Sequence, residues 1–468
     1  MGKIWDFNRP GDPDVLFDRK GNSVKSSEIE AGAKLMGELN KDHSLIMIIC
    51  RNMIGAIYGY ASSINSGSPV MLLSSEIPVE MRNNIMDTYL PSYILLPEEI
   101  RTDYPFMEEA HKFLDYSVLK TNYDSHYPVH PDLGLMITTS GSTGSVKFVR
   151  QSFDNVRFNA NANAEFMKLT TSERTITALP MQYSFGITII NATLSAGGQI
   201  YVTDKSLMEE EFWDFFEDQH ITSFHGVPNA YDTLKHFGIF EEDFPDLKLM
   251  SEAGGRLSNE LHEYYAGYAK KYNKQFYLVY GQSEASGVVA YLPAEDAAIK
   301  TGSVGKPVSG GRITLLDEKD EPITEVKKSG EIIYEGPNVA MGYALNGEDL
   351  SRGNEWEGRL RTGDVGYLDE DGYLFITGRI KRIIKMYGHR ISLDEVDSMI
   401  MEKLHILSAS TGSDNNLVIY VTNEGEKQAV FDLVRKNIQT AATHTRVEVI
   451  EAFPRTETGK IKFSELPI

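Results

Sequence analysis

The sequence is poorest in cysteine: its 468 residues include a single one, Cys50. One thiol closes no intrachain disulfide and builds no cysteine-based zinc site, which fits a reducing cytoplasm. Long apolar runs are also missing. The longest, such as SLIMIIC ending at Cys50, are far too short to cross a bilayer. The N-terminus, MGKIWDFNRPGDPD, has no apolar signal core, and Asp6 stands where a myristoylation signal wants Ser or Thr. Basic charge is scarce, with 46 Lys and Arg against 67 Asp and Glu and a net charge of −21. That balance argues for a soluble chain and against nucleic acid or anionic membrane as a general partner. The deficit is uneven: from Lys381 onward the two signs cancel, so the whole acidic excess lies upstream. The 11 histidines show no metal-binding spacing.

What is present is core material and alternation. At 41% hydrophobic the chain can bury a sizeable core, and its length fits roughly three domain-sized units, or one large unit and a small one. From about residue 44 to 285, strand-like runs (SLIMIIC, PVMLLSS, SYILLP, GGQIYVTD, ITSFHGV, LKLMSEA, QFYLVYG) alternate with helical patterns. In one of these, Met208, Phe212, Phe215 and Phe216 fall at helical spacing. In another, Leu261, Tyr264, Tyr265, Tyr268 and Tyr272 share a face, which reads as packing rather than as a binding surface. This is an α/β pattern with largely parallel sheets. After about residue 300 short alternating strands separated by Asp-, Glu- and Gly-rich turns predict a small antiparallel β unit. Beyond Gly378 a compact α+β tail follows, with Ser392 as a helix cap. The expected division is a large domain over 1–380 and a small one over 381–468.

The stretch MITTSGSTGSVKF, Met136 to Phe148, is poor core material. Delivered by a strand, its Gly141 and Gly144 free the backbone to wrap, so that amide N–H groups converge on an anion. Ser140, Ser142 and Thr143 add hydroxyl donors, and Lys147 adds a point charge. This describes a phosphate cradle. It is not a Walker A loop, because Val146 and Phe148 flank the lysine. Taken alone, the loop reads equally well as a polar surface linker.

Three further segments extend the pattern: YGQSEASG from Tyr280, RTGDVGYLDEDGYLFITGRIKRIIKMYGHRISLDEVD from Arg361, and PRTETGK ending at Lys460. With the opening loop, in this order and spacing, the chain resembles the AMP-forming adenylating superfamily. That superfamily comprises acyl- and aryl-CoA synthetases, nonribosomal-peptide adenylation domains and luciferases. The resemblance covers nearly the whole chain, strongly from about residue 130. It implies two half-reactions. A carboxylic acid reacts with ATP to give acyl-AMP and pyrophosphate, and a thiol, of CoA or of phosphopantetheine on a separate carrier protein, then takes the acyl group.

The resemblance also implies roles. The loop from Ser140 to Lys147 holds the β- and γ-phosphates, and Glu284 holds Mg²⁺, which prefers hard oxygen ligands. Ser283 keeps a hydroxyl where the family more often has Thr. Tyr280 packs on adenine beside Gly281, and Gly254 and Gly255 in EAGGR line the adenine and acyl pocket. Asp364 accepts hydrogen bonds from the ribose hydroxyls. Arg379 reaches the ribose or phosphate side. Lys381 is the hinge about which the small domain swings. Gly388 lines the thiol tunnel, and Lys460 is the catalytic lysine on the substrate carboxylate and α-phosphate.

Further departures from the family lie on the acyl side. Tyr183 stands where His is common and gates the pocket. Gly186 replaces the aspartate that holds the ammonium in amino-acid-activating members. An α-amino acid is thereby disfavoured, because a buried ammonium without a carboxylate is expensive, unless Glu252 supplies one. His225 ends a strand near the expected acyl pocket. Such a histidine is more often a satisfied structural residue and is assigned no catalytic role. No carrier-attachment motif follows Lys460, and the chain is somewhat short for the family. Two other readings stand beside the thiol ligase: an acyl-AMP ligase with a non-thiol acceptor, and a nucleotide-binding regulator that has lost catalysis.

Overall fold

The computed structural model describes residues 3–138, 147–386, 389–438, 445–456 and 459–467. The apolar runs form the centres of two large sheets. In the first, Ile46–Cys50, Val70–Ser74 and Tyr93–Pro97 are buried from end to end and pair in parallel. Five buried residues in a row cannot alternate between core and water, so such strands need both faces covered. The helix Ile54–Asn65 covers one face and is itself buried almost all round. Leu133–Thr138 extends the sheet in parallel, and Phe148–Ser152 and Gly342–Ala344 add antiparallel strands beyond it.

The second sheet holds Asp14–Asp18, Gln199–Val202, Arg174–Ile176, Ser223–Gly226, Leu249–Ala253 and Gln275–Tyr280 in parallel. Antiparallel edge strands complete it. The carboxyl ends of its last three parallel strands, at Gly226, Ala253 and Tyr280, lie together, which is where ligands bind to open parallel sheets.

The tyrosine-striped helix is Asn259–Lys271, capped by the Ser258 hydroxyl, which accepts the Leu261 N–H at 3.2 Å. Leu261, Tyr265 and Tyr268 are buried, with Tyr264 and Tyr272 packed half-buried against the same cluster. One expected helical residue falls outside its helix. The helix begins at Glu210, and Met208 precedes it, 53% exposed. There the chain makes a turn instead: Glu209 N–H donates to the Ser206 carbonyl, and Ser206 N–H to the Glu209 carboxylate.

Arg312–Leu316, Gly330–Glu335, Arg359–Leu368 and Leu374–Arg379 form the antiparallel β unit. One 3₁₀ turn, Ile380–Arg382, leads from it into the hairpin Ile383–Met386 and His389–Ser392. The remaining chain folds around Ala409–Ser413, Asn416–Val421 and Thr445–Val449 with helices Leu393–Leu404 and Lys427–Asn437. Ser392 caps the first of these by accepting the Glu395 N–H, an arrangement worth about 1 kcal/mol. This tail has its own hydrophobic cluster, including Ile384, Met386, Val396, Ile400, Ile419 and Val434. The fold is α/β, with a large N-terminal region of parallel-rich sheets and a small C-terminal α+β unit.

Candidate active site

Tyr280 ends its strand buried, and its hydroxyl donates to Asp364 Oδ2 at 2.6 Å. Asp364 faces Arg379 across the antiparallel pair, and Arg379 Nε donates to its other oxygen at 3.1 Å. Burial pushes the Tyr280 phenol well up, and the neighbouring Asp364 reinforces it. Burial also raises the Asp364 carboxyl, against the pull of Arg379. Each carboxylate oxygen keeps spare acceptor capacity, so the trio fits a pair of ribose hydroxyls. Beside it the backbone runs without side chains. Gly254 has φ +95°, and a Cβ there would sit 2.6 Å from the Tyr183 hydroxyl. A Cβ on Gly281 would overlap the Gly287 carbonyl, and one on Gly255 would lie 3.0 Å from Pro228. Ser283 opens the 3₁₀ turn Ser283–Ala285, and its carbonyl accepts the Gln151 side-chain amide.

That turn carries Glu284. Its carboxylate accepts the Tyr343 hydroxyl at 2.8 Å, and Lys147 Nζ lies 3.5 Å from the centre of the Tyr343 ring. One tyrosine therefore joins the two residues assigned to metal and phosphate. Its place is set by the sheet, where Tyr343 pairs with Val149, two residues after Lys147. Burial first, and Glu284 second, push the Tyr343 phenol up, so it stays a donor to the carboxylate. Among the described residues no group of three or more His, Cys, Asp or Glu could hold a metal. A single carboxylate suits Mg²⁺, which keeps waters and phosphate oxygens as its other ligands. Ser140, Gly141, Ser142, Thr143 and Gly144 lie outside the described residues.

Lys460 arrives from the C-terminal unit on a turn in which its N–H donates to Thr456 Oγ1 at 3.1 Å and Thr456 N–H donates back to its carbonyl. Gly459 in that turn has φ +78°, and a Cβ on it would lie 3.0 Å from Asn229 of the large region. Nζ stands 5.8 Å from the Tyr183 ring centre. Burial, and then the like charge of Arg379, lower the ammonium pKa to about 8, while Glu252 and Asp364 oppose the shift. Glu252 is buried on its strand; burial pushes its carboxyl pKa well up, and the neighbouring Lys460 pulls it the other way. Arg379, Asp364, Glu252, Tyr183 and Lys460 thus share one electrostatic neighbourhood, although the last lies beyond the end of the β unit.

Gly186 has a tighter local reason than substrate choice. It is buried in the first turn of helix Ser184–Ala196, and a Cβ there would overlap the Pro180 carbonyl oxygen. An aspartate cannot be mounted at 186 unless that carbonyl moves. His225 is buried with Nδ1 2.6 Å from Ser251 Oγ, but its Nε2 has no partner among the described residues. It is therefore not the fully satisfied histidine expected. Lys381 is exposed in the 3₁₀ turn Ile380–Arg382, and Gly388 lies outside the described residues.

Three neighbours escape a reading of the sequence alone. Tyr343, in VAMGYALNGE, looks like core material, and its partner Glu284 is 59 residues away. Ser251 sits inside an apolar strand. Arg256, within the quoted EAGGR, reaches across to the C-terminal unit, donating to Ser398 Oγ at 2.5 Å and Glu402 Oε1 at 3.2 Å.

A family model described as AMP-binding enzyme matches residues 41–344. The oxalate–CoA ligase of Arabidopsis thaliana is 29% identical over 350 residues, covering 71% of this chain and 67% of that protein. The chain thus spans about two thirds of that relative's length. The 2-succinylbenzoate–CoA ligase of Oceanobacillus iheyensis is 27% identical over 404 residues, 82% of this chain and 79% of that protein. Among solved structures, the o-succinylbenzoate CoA synthetase of Bacillus subtilis in complex with an acyl-adenylate intermediate superposes with a TM-score of 0.79. That match covers 97% of this chain and 95% of that one at 20% identity, a likeness of fold.

Proposed function

The chain belongs to the family of AMP-binding enzymes, and on that premise we propose that it is an ATP-dependent acid–thiol ligase. A carboxylate oxygen of the acid attacks the α-phosphorus of ATP, the bond to the β-phosphate oxygen breaks, and pyrophosphate leaves. A thiolate then attacks the acyl carbon of the acyl-AMP and releases AMP. Two anions must meet in the first step, so the chemistry rests on positioning and charge neutralisation. Lys460 supplies the cation between them. Glu284 and Lys147 hold the metal and phosphate side, and Asp364, Arg379 and Tyr280 hold the nucleoside. The acceptor is CoA, a choice supported by the CoA-ligase names of the relatives. The acid lacks an α-ammonium, since Gly186 offers no carboxylate to meet one and burial disfavours the charged form of Glu252.

The observation that carries this reading is the meeting of Lys460 with Tyr183, Glu252, Asp364 and Arg379, residues of distant segments with no other evident reason to converge. From the same meeting we infer that residues 381–468 move as a unit about Lys381 between the two steps, withdrawing Lys460 so that the thiol can enter past Gly388. A cytoplasmic setting suits a chain whose one cysteine is buried. Among the described residues no helix is long and apolar enough to cross a membrane.

The test is exchange of labelled pyrophosphate into ATP, dependent on both Mg²⁺ and an added carboxylic acid, followed by CoA consumption with the acid that supports exchange. Exchange with loss of free CoA thiol is expected. Exchange without CoA consumption would reassign the acceptor to a non-thiol nucleophile. ATP binding with no exchange from any acid would leave a nucleotide-binding regulator.

A further inference from the structure

Strands Ser223–Gly226 and Leu249–Ala253 run parallel in register, with His225 beside Ser251 and Gly226 beside Glu252. Side chains two residues apart share a face, so His225 and Ser251 lie on the face of Val227 and Ala253. They sit one pleat deeper, about 6.6 Å along the strand. Val227 and Ala253 pack in one cluster with Phe185 and Tyr280, and Tyr183 lies at its edge. Val227 also borders Gly254 and hence the Tyr183 hydroxyl, over whose ring Lys460 stands. The His225–Ser251 pair is therefore below the reacting end of the site, on the same face. Glu252 belongs to the opposite face and is matched electrostatically with Lys460.

The pair is built with one group to spare. His225 is 2% exposed and Ser251 0%. Phe185 meets the imidazole edge-on, at 6.4 Å and 88°, and fixes its plane. Burial lowers the imidazole pKa to about 3, so the ring is neutral, with one N–H and one lone pair. If the Ser251 hydroxyl donates to Nδ1, the hydroxyl hydrogen and the Nδ1 lone pair are both satisfied and the ring proton rests on Nε2. The reverse assignment strands both the hydroxyl hydrogen and the Nε2 lone pair in a buried place. The first leaves a single buried donor, Nε2–H, with no partner among the described residues.

We propose that His225 Nε2–H, oriented by Ser251, reads the far end of the acid, and that the substrate is a short carboxylic acid with an acceptor oxygen beyond the carbon that is activated. The acceptor class comprises carbonyl, hydroxyl and second carboxyl oxygens. The proposal rests on the acid-activating reading above. An apolar acid of the same length would leave the donor buried and unpaired, which is the situation in which enzymes discriminate most sharply.

The test is acid-dependent pyrophosphate release, with hydroxylamine as acyl acceptor. Its panel comprises butanoate, pentanoate, hexanoate and benzoate, each paired with its terminal hydroxyl, amide and carboxyl counterparts. The best acceptor-bearing acid should exceed its apolar partner in kcat/KM by at least about tenfold, the loss of one buried hydrogen bond. The three terminal groups distinguish the sources of the acceptor. His225→Leu should lower kcat/KM for that acid by about 10–100-fold. It should leave the KM for ATP within about threefold, which also reports that the variant is folded, and the rate with the apolar partner should not fall, because the unpaired donor is gone. Ser251→Ala, which frees Nδ1 to take the proton, should fall between wild type and His225→Leu. An unchanged ranking in His225→Leu, or an apolar acid preferred by the wild type, would overturn the proposal while leaving acid activation intact. No pyrophosphate release from any acid would overturn both.

Discussion

The two ends of the site are built differently. At the end proposed for the nucleoside, Tyr280, Asp364 and Arg379 are tied to one another by hydrogen bonds of 2.6 and 3.1 Å. At the end proposed for the carboxylate, Lys460 Nζ has no such tie among the described residues. It is held over Tyr183 by a turn of another unit, whose contacts with the large region include exposed polar pairs: Arg256 with Ser398 and Glu402, and His405 with Glu260. A preorganised end binds in every state of the enzyme. A delivered end acts only when its carrier is docked. The difference teaches that the first half-reaction should depend on docking and the second on undocking, and each variant below is a way to break that asymmetry.

The largest effect belongs to Lys460. Lys460→Ala should lower acyl-AMP formation by ~10²–10⁴-fold, the scale of one electrostatic contact made in the transition state. Supplied with pre-made acyl-AMP, the same variant should pass the acyl group to CoA near the wild-type rate. Lys381→Pro should do the reverse, because fixing φ in the turn restricts the swing. Each half-reaction assayed separately in both variants decides the matter, and equal loss in both steps for Lys460→Ala would remove the delivered end from the comparison.

Next comes the metal and phosphate side. Glu284→Ala should cost at least ~10²-fold in Mg²⁺-dependent turnover, and near wild-type activity at saturating Mg²⁺ would take Glu284 out of the site. Tyr343→Phe keeps the ring under Lys147 and removes only the hydroxyl bond to Glu284. A loss of about tenfold or less, read mainly as a raised Mg²⁺ requirement, is expected from one hydrogen bond to a charged group.

A pH profile sharpens the same contrast. With the Lys460 pKa lowered to about 8, the ammonium is complete below that value and is lost as pH rises through it. The kcat/KM for acyl-AMP formation, which reports the free enzyme, should therefore fall about tenfold per pH unit above pH 8. Lys460→Arg, lower in rate, should show no such limb. Transfer from pre-made acyl-AMP should lack it in both proteins, and a limb of equal depth there would assign it to another group.

Much of this was legible in the sequence where chemistry is local. Strand runs mark the sheets, and Tyr280, Glu284, Asp364, Arg379 and Lys460 stand out through the family resemblance of the motifs that hold them, since a lone Glu or Asp in a turn would otherwise read as a solvated residue. What was not legible is pairing at a distance. Tyr280 meets Asp364 across 84 residues, and Tyr343 meets Glu284 across 59. Nothing in VAMGYALNGE separates a core tyrosine from one that joins Lys147 to Glu284. Gly186 shows the limit from the other side. The sequence displays the lack of an aspartate, whereas the structure displays the Pro180 carbonyl that leaves no room for one. Met208 was misplaced for a similar reason, since the Ser206–Glu209 turn overrides a spacing that reads as helix.

The smallest effect tests the docking surface itself. Arg256 begins the segment that leads into helix Asn259–Lys271 and meets Ser398 and Glu402 on helix Leu393–Leu404. Both partners of the ion pair are nearly half exposed, with side-chain accessibilities of 47% and 42%. Such pairs are worth about 1 kcal/mol at most and weaken with salt. They are present together with Lys460 in the site, so on the proposed swing their removal should bias the unit away from the docked state and touch no reacting group. Arg256→Ala should lower acid-dependent pyrophosphate exchange about two- to fivefold at low ionic strength, with the gap closing as salt screens the wild-type pair. Transfer from pre-made acyl-AMP should stay level or rise slightly, because undocking becomes easier. Reversing the pair, Arg256→Glu with Glu402→Arg, should recover part of the exchange rate that either change alone removes. If Arg256→Ala slowed both half-reactions alike at every salt concentration, Arg256 would belong to the preorganised end, and the contrast between the two ends would have to be drawn elsewhere.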